Sequence, residues 1–151
     1  MPSSAPSGDA RLPGRAGQTM VELLVTLAVL GVLAAVGARG AARAADTAAV
    51  HAAGAELRAA FGAARALAVH RAARVAVRLD SAAGTVVVHA GADTVRRLAL
   101  RAAHGVRLAA TRDSMAYAPP GLGHGAANLR VVLARGRAAD TTVVSRLGRV
   151  R

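Results

Sequence analysis

GQTMVELLVTLAVLGVLAAVGA, residues 17–38, holds a single charged side chain, Glu22, in an otherwise uncharged apolar run. Glu22 is the only charge between Arg15 and Arg39. A bilayer-spanning helix takes roughly 20 apolar residues, and this run is long enough. A carboxylate near the bilayer interior costs about 2.5–3.5 kcal/mol on insertion scales, so an intramembrane Glu points to a function. A plain anchor or export signal has no use for it.

Two simpler readings compete. A secretory signal peptide has a basic start, a short apolar core and a small-residue cleavage site. Arg11 and Arg15 offer the first, and the small residues of 36–41 offer the last. Glu22 inside the core argues against this. The second is an uncleaved anchor. Counting flanking arginines does not settle orientation, because Arg11 and Arg15 on one side face Arg39 and Arg43 on the other, and Asp9 weakens the first pair.

Outward from this run, the 151-residue length suggests one folded domain. With a leader and a membrane helix set aside, enough chain remains for one modest core. Phe61 and Tyr117 are the only aromatic residues, so the core must be built from Val, Leu and Ala. The absence of cysteine excludes disulfides, thiol catalysis and Cys-based metal sites. Net charge is +12, carried by arginine with no lysine, and a surface so basic attracts polyanions.

The organisation reads in four parts. Residues 1–17 are a Pro-, Ser- and Gly-rich leader, 18–38 a transmembrane helix, 39–73 a continuation of that helix and 74–151 a β-rich head. In the third part Val50, Leu57, Phe61, Ala64 and Ala68 recur at helical steps. Arg43, His51, Arg58 and Arg65 fall largely on other faces. One long helix to about Arg71 is predicted, softened at Gly54 and Gly62. From Val75 the period becomes two, with strands predicted over 75–79, 85–89, 95–100, 106–109, 114–118, 129–133 and 141–145. Pro119, Pro120, Gly121, Gly123 and Gly125 predict a loop. Helix first and short strands after argue an α+β fold, a long N-terminal α-helix packed on an antiparallel β-sheet head.

The leader ending at Gly17, the carboxylate at Glu22 and the apolar run together resemble the class III signal of type IV pilins and type II secretion pseudopilins. That resemblance implies cleavage between Gly17 and Gln18 by a prepilin peptidase, and N-methylation of Gln18. It makes Glu22 the fifth residue of the mature chain. The departure is Gln18, where the family usually places Phe or another apolar residue. Downstream, LRAAFGAARALAV (57–69), MAYAPPGLGHG (115–125) and VVSRLGRVR (143–151) follow the order of segments in the GspH/FimT type of minor pilin. The resemblance implies a pilin-like fold and a single-pass protein of the inner membrane with a periplasmic head. It also implies assembly with other major or minor pilins or pseudopilins at or near the tip of a filament.

Two groups carry the expected function. In the family, the fifth-position glutamate pairs with the free amine of a neighbouring subunit, which assigns Glu22 to assembly. The physics agrees, since a buried carboxylate must find a partner or take up a proton. The bland alternative is that Glu22 reaches the headgroups. The second group is Arg146, Gly148, Arg149 and Arg151. In an extended segment Arg149 and Arg151 share a face, and paired guanidinium forks suit phosphate oxygens. Some members that act in DNA uptake bind DNA through a terminal Gly-Arg-X-Arg element, which the sequence 148–151 fits. The implied partner is double-stranded DNA, bound without sequence specificity and weakening with salt. The bland alternative is a solvated basic strand end.

No catalytic residues, cofactor or metal site are predicted. His51, His70, His89, His104 and His124 lack the i, i+4 spacing of a helical metal pair. Ser114 and Ser145 lack a nucleophile elbow, and the glycines of 121–125 do not join a strand to a helix. The alternative function is a type II secretion minor pseudopilin acting in protein export.

Overall fold

The computed structural model describes residues 19–124 and 129–151. The leader, Gly17, Gln18 and the loop glycine Gly125 lie outside the described residues. The described chain divides into two units, one ending at Ala38 and the other running from Arg39 to Arg151. Helix α1 (Met20–His70) contributes to both. Within the first unit every large apolar side chain from Met20 to Val36 is exposed, as expected of a segment whose partners are lipid or other chains. By length and composition α1 is able to cross a membrane.

In the second unit α1 buries Val50, Ala53, Leu57, Ala60, Phe61, Ala64 and Ala68, one stripe at three- and four-residue steps. The helix runs unbroken through Gly54 and Gly62, where softening is predicted from sequence. Gly54 has a packing reason. A Cβ there would overlap the Asp140 carboxylate, which pairs with Arg58 at 2.9 Å. The helix ends one residue short of the predicted limit. The Ala73 N–H reaches the Ala68 carbonyl and the Ala72 N–H reaches that of Val69, with Ala72 left-handed at φ 47°. This is a Schellman closure.

The strands are β1 (Val75–Asp80), β2 (Thr85–Ala90), β3 (Asp93–Ala99), β4 (Arg107–Ala110), β5 (Ser114–Tyr117), β6 (Gly123–His124), β7 (Leu129–Arg135) and β8 (Ala138–Val144). They form two antiparallel sheets, of order β3-β2-β1-β5-β6 and β4-β7-β8, not a single sheet. The inner faces supply Val75, Val77, Val86, Val88, Leu98 and Tyr117 from the first sheet, and Leu108, Leu129, Val131, Leu133 and Val144 from the second. All join the α1 stripe in one core. Two local readings change. Leu100, predicted as the end of a strand, opens the short helix α2 (Leu100–His104), where it is fully buried. The Pro-Gly loop contains β6, paired to Ala116 and Tyr117.

Tyr117 is fully buried, and its hydroxyl has no hydrogen-bond partner among the described residues. Burial pushes its pKa up from 10.0 to about 12, partly offset by the nearby Arg65 guanidinium. Below pH 10 the phenol is protonated in both folded and unfolded chains. Between pH 10 and about 12 the unfolded chain loses the proton while the folded one keeps it, so stability falls as pH rises. The loss is worth roughly 2–3 kcal/mol. Tyr117→Phe is expected to keep the core ring and remove this alkaline slope in melting temperatures measured from pH 9 to pH 12. Parallel losses in variant and parent would refute it.

Candidate functional site

The N-terminal group is built on the first turn of α1. Thr19 stands just before the helix, and its Oγ1 accepts the Glu22 backbone N–H at 3.3 Å. Thr19-Met20-Val21-Glu22 has the spacing of a capping box, of which this bond is the forward half. The Glu22 side chain lies in the first turn, where the helix dipole favours a carboxylate. It is exposed and has no ion-pair partner among the described residues. Four residues on, Thr26 Oγ1 donates to the Glu22 carbonyl at 2.7 Å. Gly17 and Gln18, the predicted processing residues, lie outside the described residues.

The C-terminal group is a hairpin. After β8 the chain turns at 145–148, where the Gly148 N–H donates to the Ser145 carbonyl at 2.9 Å. It then returns along the free edge of β8. The Ser145 N–H donates to the Arg149 carbonyl at 2.9 Å, and Val143 and Arg151 exchange bonds of 2.8 and 3.0 Å. Gly148 makes the turn possible. Its φ is +73°, and a Cβ would meet the Gly121 carbonyl and, at 3.0 Å, the Tyr117 ring. Gly148 thereby sets the direction in which Arg149 and Arg151 leave the turn.

Register fixes where they point. Val150 pairs with Val144 and packs against the core, so Arg149 and Arg151 take the opposite, outer face, both exposed. Arg130 pairs with Val143, which pairs with Arg151. The three therefore share one cross-strand row, placing Arg130 and Arg151 two strand spacings, about 10 Å, apart. Arg149 lies about 7 Å along the strand from Arg151. Arg107 occupies the same outer face of β4, and Arg146 is exposed in the turn. Among the described residues of this face there is no Asp or Glu side chain. Asp140 has the other parity and faces α1.

The structure also sorts the arginines of the β7–β8 hairpin, Arg130, Arg135 and Arg137. Arg130 joins the C-terminal pair. Arg135 instead turns inward, bonding Asp46 at 3.0 Å and the His104 carbonyl at 2.7 Å. Arg137 lies by the β7–β8 turn beside Arg43 and Asp46. Alternation in 129–133 separates Arg130 from the core residues, but its adjacency to Arg151 depends on a register no local pattern reveals. The histidines are dispersed. His104 Nε2 lies 3.0 Å from Glu56, His89 lies near Thr94, and His124 sits on β6. Among the described residues no cluster of three metal-ligating side chains occurs.

Residues 12–38 match the prokaryotic N-terminal methylation motif. The fold is similar to that of the type IV minor pilin FimU of Pseudomonas aeruginosa strain PAO1, with TM-score 0.60 at 14% identity, over 68% of this chain and 86% of that one. The fold of this chain is pilin-like. A second crystal form of FimU superposes with TM-score 0.57 at 12% identity, over 67% and 90% of the two chains. No curated protein sequence matches the chain. At these identities the pilin-like chain shares a fold with FimU, an α1 helix packed on antiparallel sheets. The motif runs into the helix that, by length and composition, is able to cross a membrane.

Proposed function

We propose that this pilin-like chain is a minor subunit of a type IV pilus-like filament. It is cleaved after Gly17 by a prepilin peptidase and methylated at Gln18. It is held in the inner membrane by its apolar helix with the head in the periplasm, then inserted at or near the tip. What carries the reading is the agreement in spacing between the methylation motif, Glu22 on the first turn of α1, and an apolar face left without partners inside the chain. A carboxylate on such a face is costly in lipid and finds its partner in a neighbour's amine, freed only by cleavage. Processing then licenses assembly.

The outer-face arginines support a second element of the proposal, capture of duplex DNA for uptake by Arg146, Arg149 and Arg151, with Gly148 setting the turn. Phosphate contacts carry no sequence information, so binding is non-specific. Phe61 and Tyr117 are both fully buried, which leaves no exposed Phe, Tyr or Trp ring to stack bases and disfavours single strands.

The test of the filament reading is processing. Full-length chain co-expressed with a prepilin peptidase is expected to yield a product beginning at Gln18 with one added methyl group, read by intact mass and N-terminal sequencing. Gly17→Ala is expected to block it. An uncut chain, or a cut near residues 36–41, would overturn the proposal in favour of an anchor or a secretory signal. A processed chain that associates only with secretion pseudopilins would move it to the type II system.

A further inference from the structure

We infer that the outer face of the five-stranded sheet is a second phosphate-binding surface, a basic trough that extends the C-terminal grip across the head. The inference rests on the DNA-capture reading and names where the rest of the duplex lies.

The trough is built by register. Outer-face residues of β1 alternate with the core residues Val75, Val77 and Leu79, so Arg74, Ala76 and Arg78 line one face. Across the sheet, Arg97 on β3 pairs with Val87 on β2, which pairs with Arg78 on β1, which pairs with Ser114 on β5. Beside this row, His89 pairs with Ala76, which pairs with Ala116, which pairs with His124. Arg74, Arg78, Arg97 and His124 are exposed.

The face is concave. A hollow of about 910 Å³ includes Arg78, His89 and Arg97, and a second of about 290 Å³ includes Arg74, Arg78 and His124. Arg78 lines both, so the hollows adjoin on one face. Its floor between the arginines is Val87, Ala76, Ala116 and Ser114, all short. Long guanidinium arms over a floor of short side chains let a sugar-phosphate backbone approach closely.

The trough joins the C-terminal site. The Gly123 N–H, next to His124, donates to the Arg146 carbonyl at 3.0 Å. The proposed path runs from Arg97 through Arg78 and Arg74, past His124, to the turn that carries Arg146, Arg149 and Arg151. A duplex presents one charge per roughly 1.7 Å of its axis, so such a path meets phosphates along its length. Two carboxylates line the larger hollow, Asp80 and Asp113. Each is engaged locally, Asp80 by the Ala83 N–H at 2.8 Å and Asp113 by Ser114 Oγ at 3.2 Å. They nonetheless oppose an anion there, and that opposition is itself measurable.

The experiment titrates full-length chain in zwitterionic detergent micelles with a short DNA duplex across a salt series. Thermal melts check that each variant folds. Arg78→Gln/Arg97→Gln is expected to weaken binding roughly 30-fold at about 0.15 M salt and to flatten the log–log salt slope by about 1.8, the share of two phosphate contacts. Asp80→Asn keeps the acceptor oxygen for Ala83, and is expected to tighten binding several-fold. Arg39→Gln/Arg43→Gln on α1 is the control and is expected to change neither. If the C-terminal pair variant loses affinity while the trough variants match the parent, the trough inference is overturned and the DNA-capture reading stands. If only the trough variants respond, the trough is supported and the C-terminal assignment fails. Equal losses in all three arginine pairs would overturn both, leaving generic charge attraction.

Discussion

Glu22→Ala is expected to leave cleavage after Gly17 intact while abolishing incorporation into filaments, measured by the amount of the subunit co-purifying with sheared pili. The variant has little else to lose. The core lies between Val50 and Val144, within the second unit, so the head does not depend on Glu22. A carboxylate in the first helical turn is worth about 0.3–1 kcal/mol to the helix through the dipole, too little to unfold a membrane segment. In a filament the account differs. Removing one partner of a buried ion pair costs about 3–5 kcal/mol, because the other charge stays buried and unpaired. That is more than a hundredfold in the assembly equilibrium.

Thr19 supplies the discriminating variant. The Glu22 N–H is bonded to Thr19 Oγ1 at 3.3 Å, so a capping role for Glu22 is the structural competitor. Glutamine serves in a capping box as glutamate does. Glu22→Gln therefore keeps the cap and removes the charge. Loss of assembly in Glu22→Gln supports the ion pair. Assembly of Glu22→Gln at parent levels, with failure of both Thr19→Ala and Glu22→Ala, would assign Glu22 to helix capping and sink the assembly proposal.

Arg149→Gln/Arg151→Gln is expected to weaken duplex binding roughly 30-fold at about 0.15 M salt, with a slope flatter by about 1.8, since each phosphate contact carries about 0.9 of slope. The fold is expected to survive. Both side chains are exposed, and the hairpin is held by backbone bonds between Val143 and Arg151 and between Ser145 and Arg149. Arg130→Gln alone is expected to flatten the slope by about half as much, because register places it on the same face. Arg58 and Arg65 would make poor controls. Arg58 pairs with Asp140 at 2.9 Å, and Arg65 Nε donates to the Gly121 carbonyl at 3.0 Å, so each serves the fold. An unchanged slope in the double variant would show that the Gly-Arg-Val-Arg segment does not grip phosphate.

Much of this architecture is written in local periodicity. The step of three and four residues from Val50 to Ala68 marks the buried stripe of α1, and alternation from Val75 onward marks the strands. Both arise because a helix or a strand must present one face to apolar neighbours. Glu22 is legible for the opposite reason, as a charge that breaks an apolar run and therefore needs a partner elsewhere. Leu100 was not legible as helix. Its neighbours read as strand, and its place in α2 follows from the burial of its side chain in the core.

The sequence by itself determined what depends on near neighbours along the chain: the apolar helix, the spacing from Gly17 to Glu22, the succession of most strands along the chain and the shared face of Arg149 and Arg151. Only the tertiary structure decided which arginines keep company. Arg130 beside Arg151, Arg97 across from Arg78, and Arg135 turned inward to Asp46 are all matters of strand register and of packing on α1. Register is set by the fit of whole faces against the core, and a slip of one residue would send every one of these side chains to the other side.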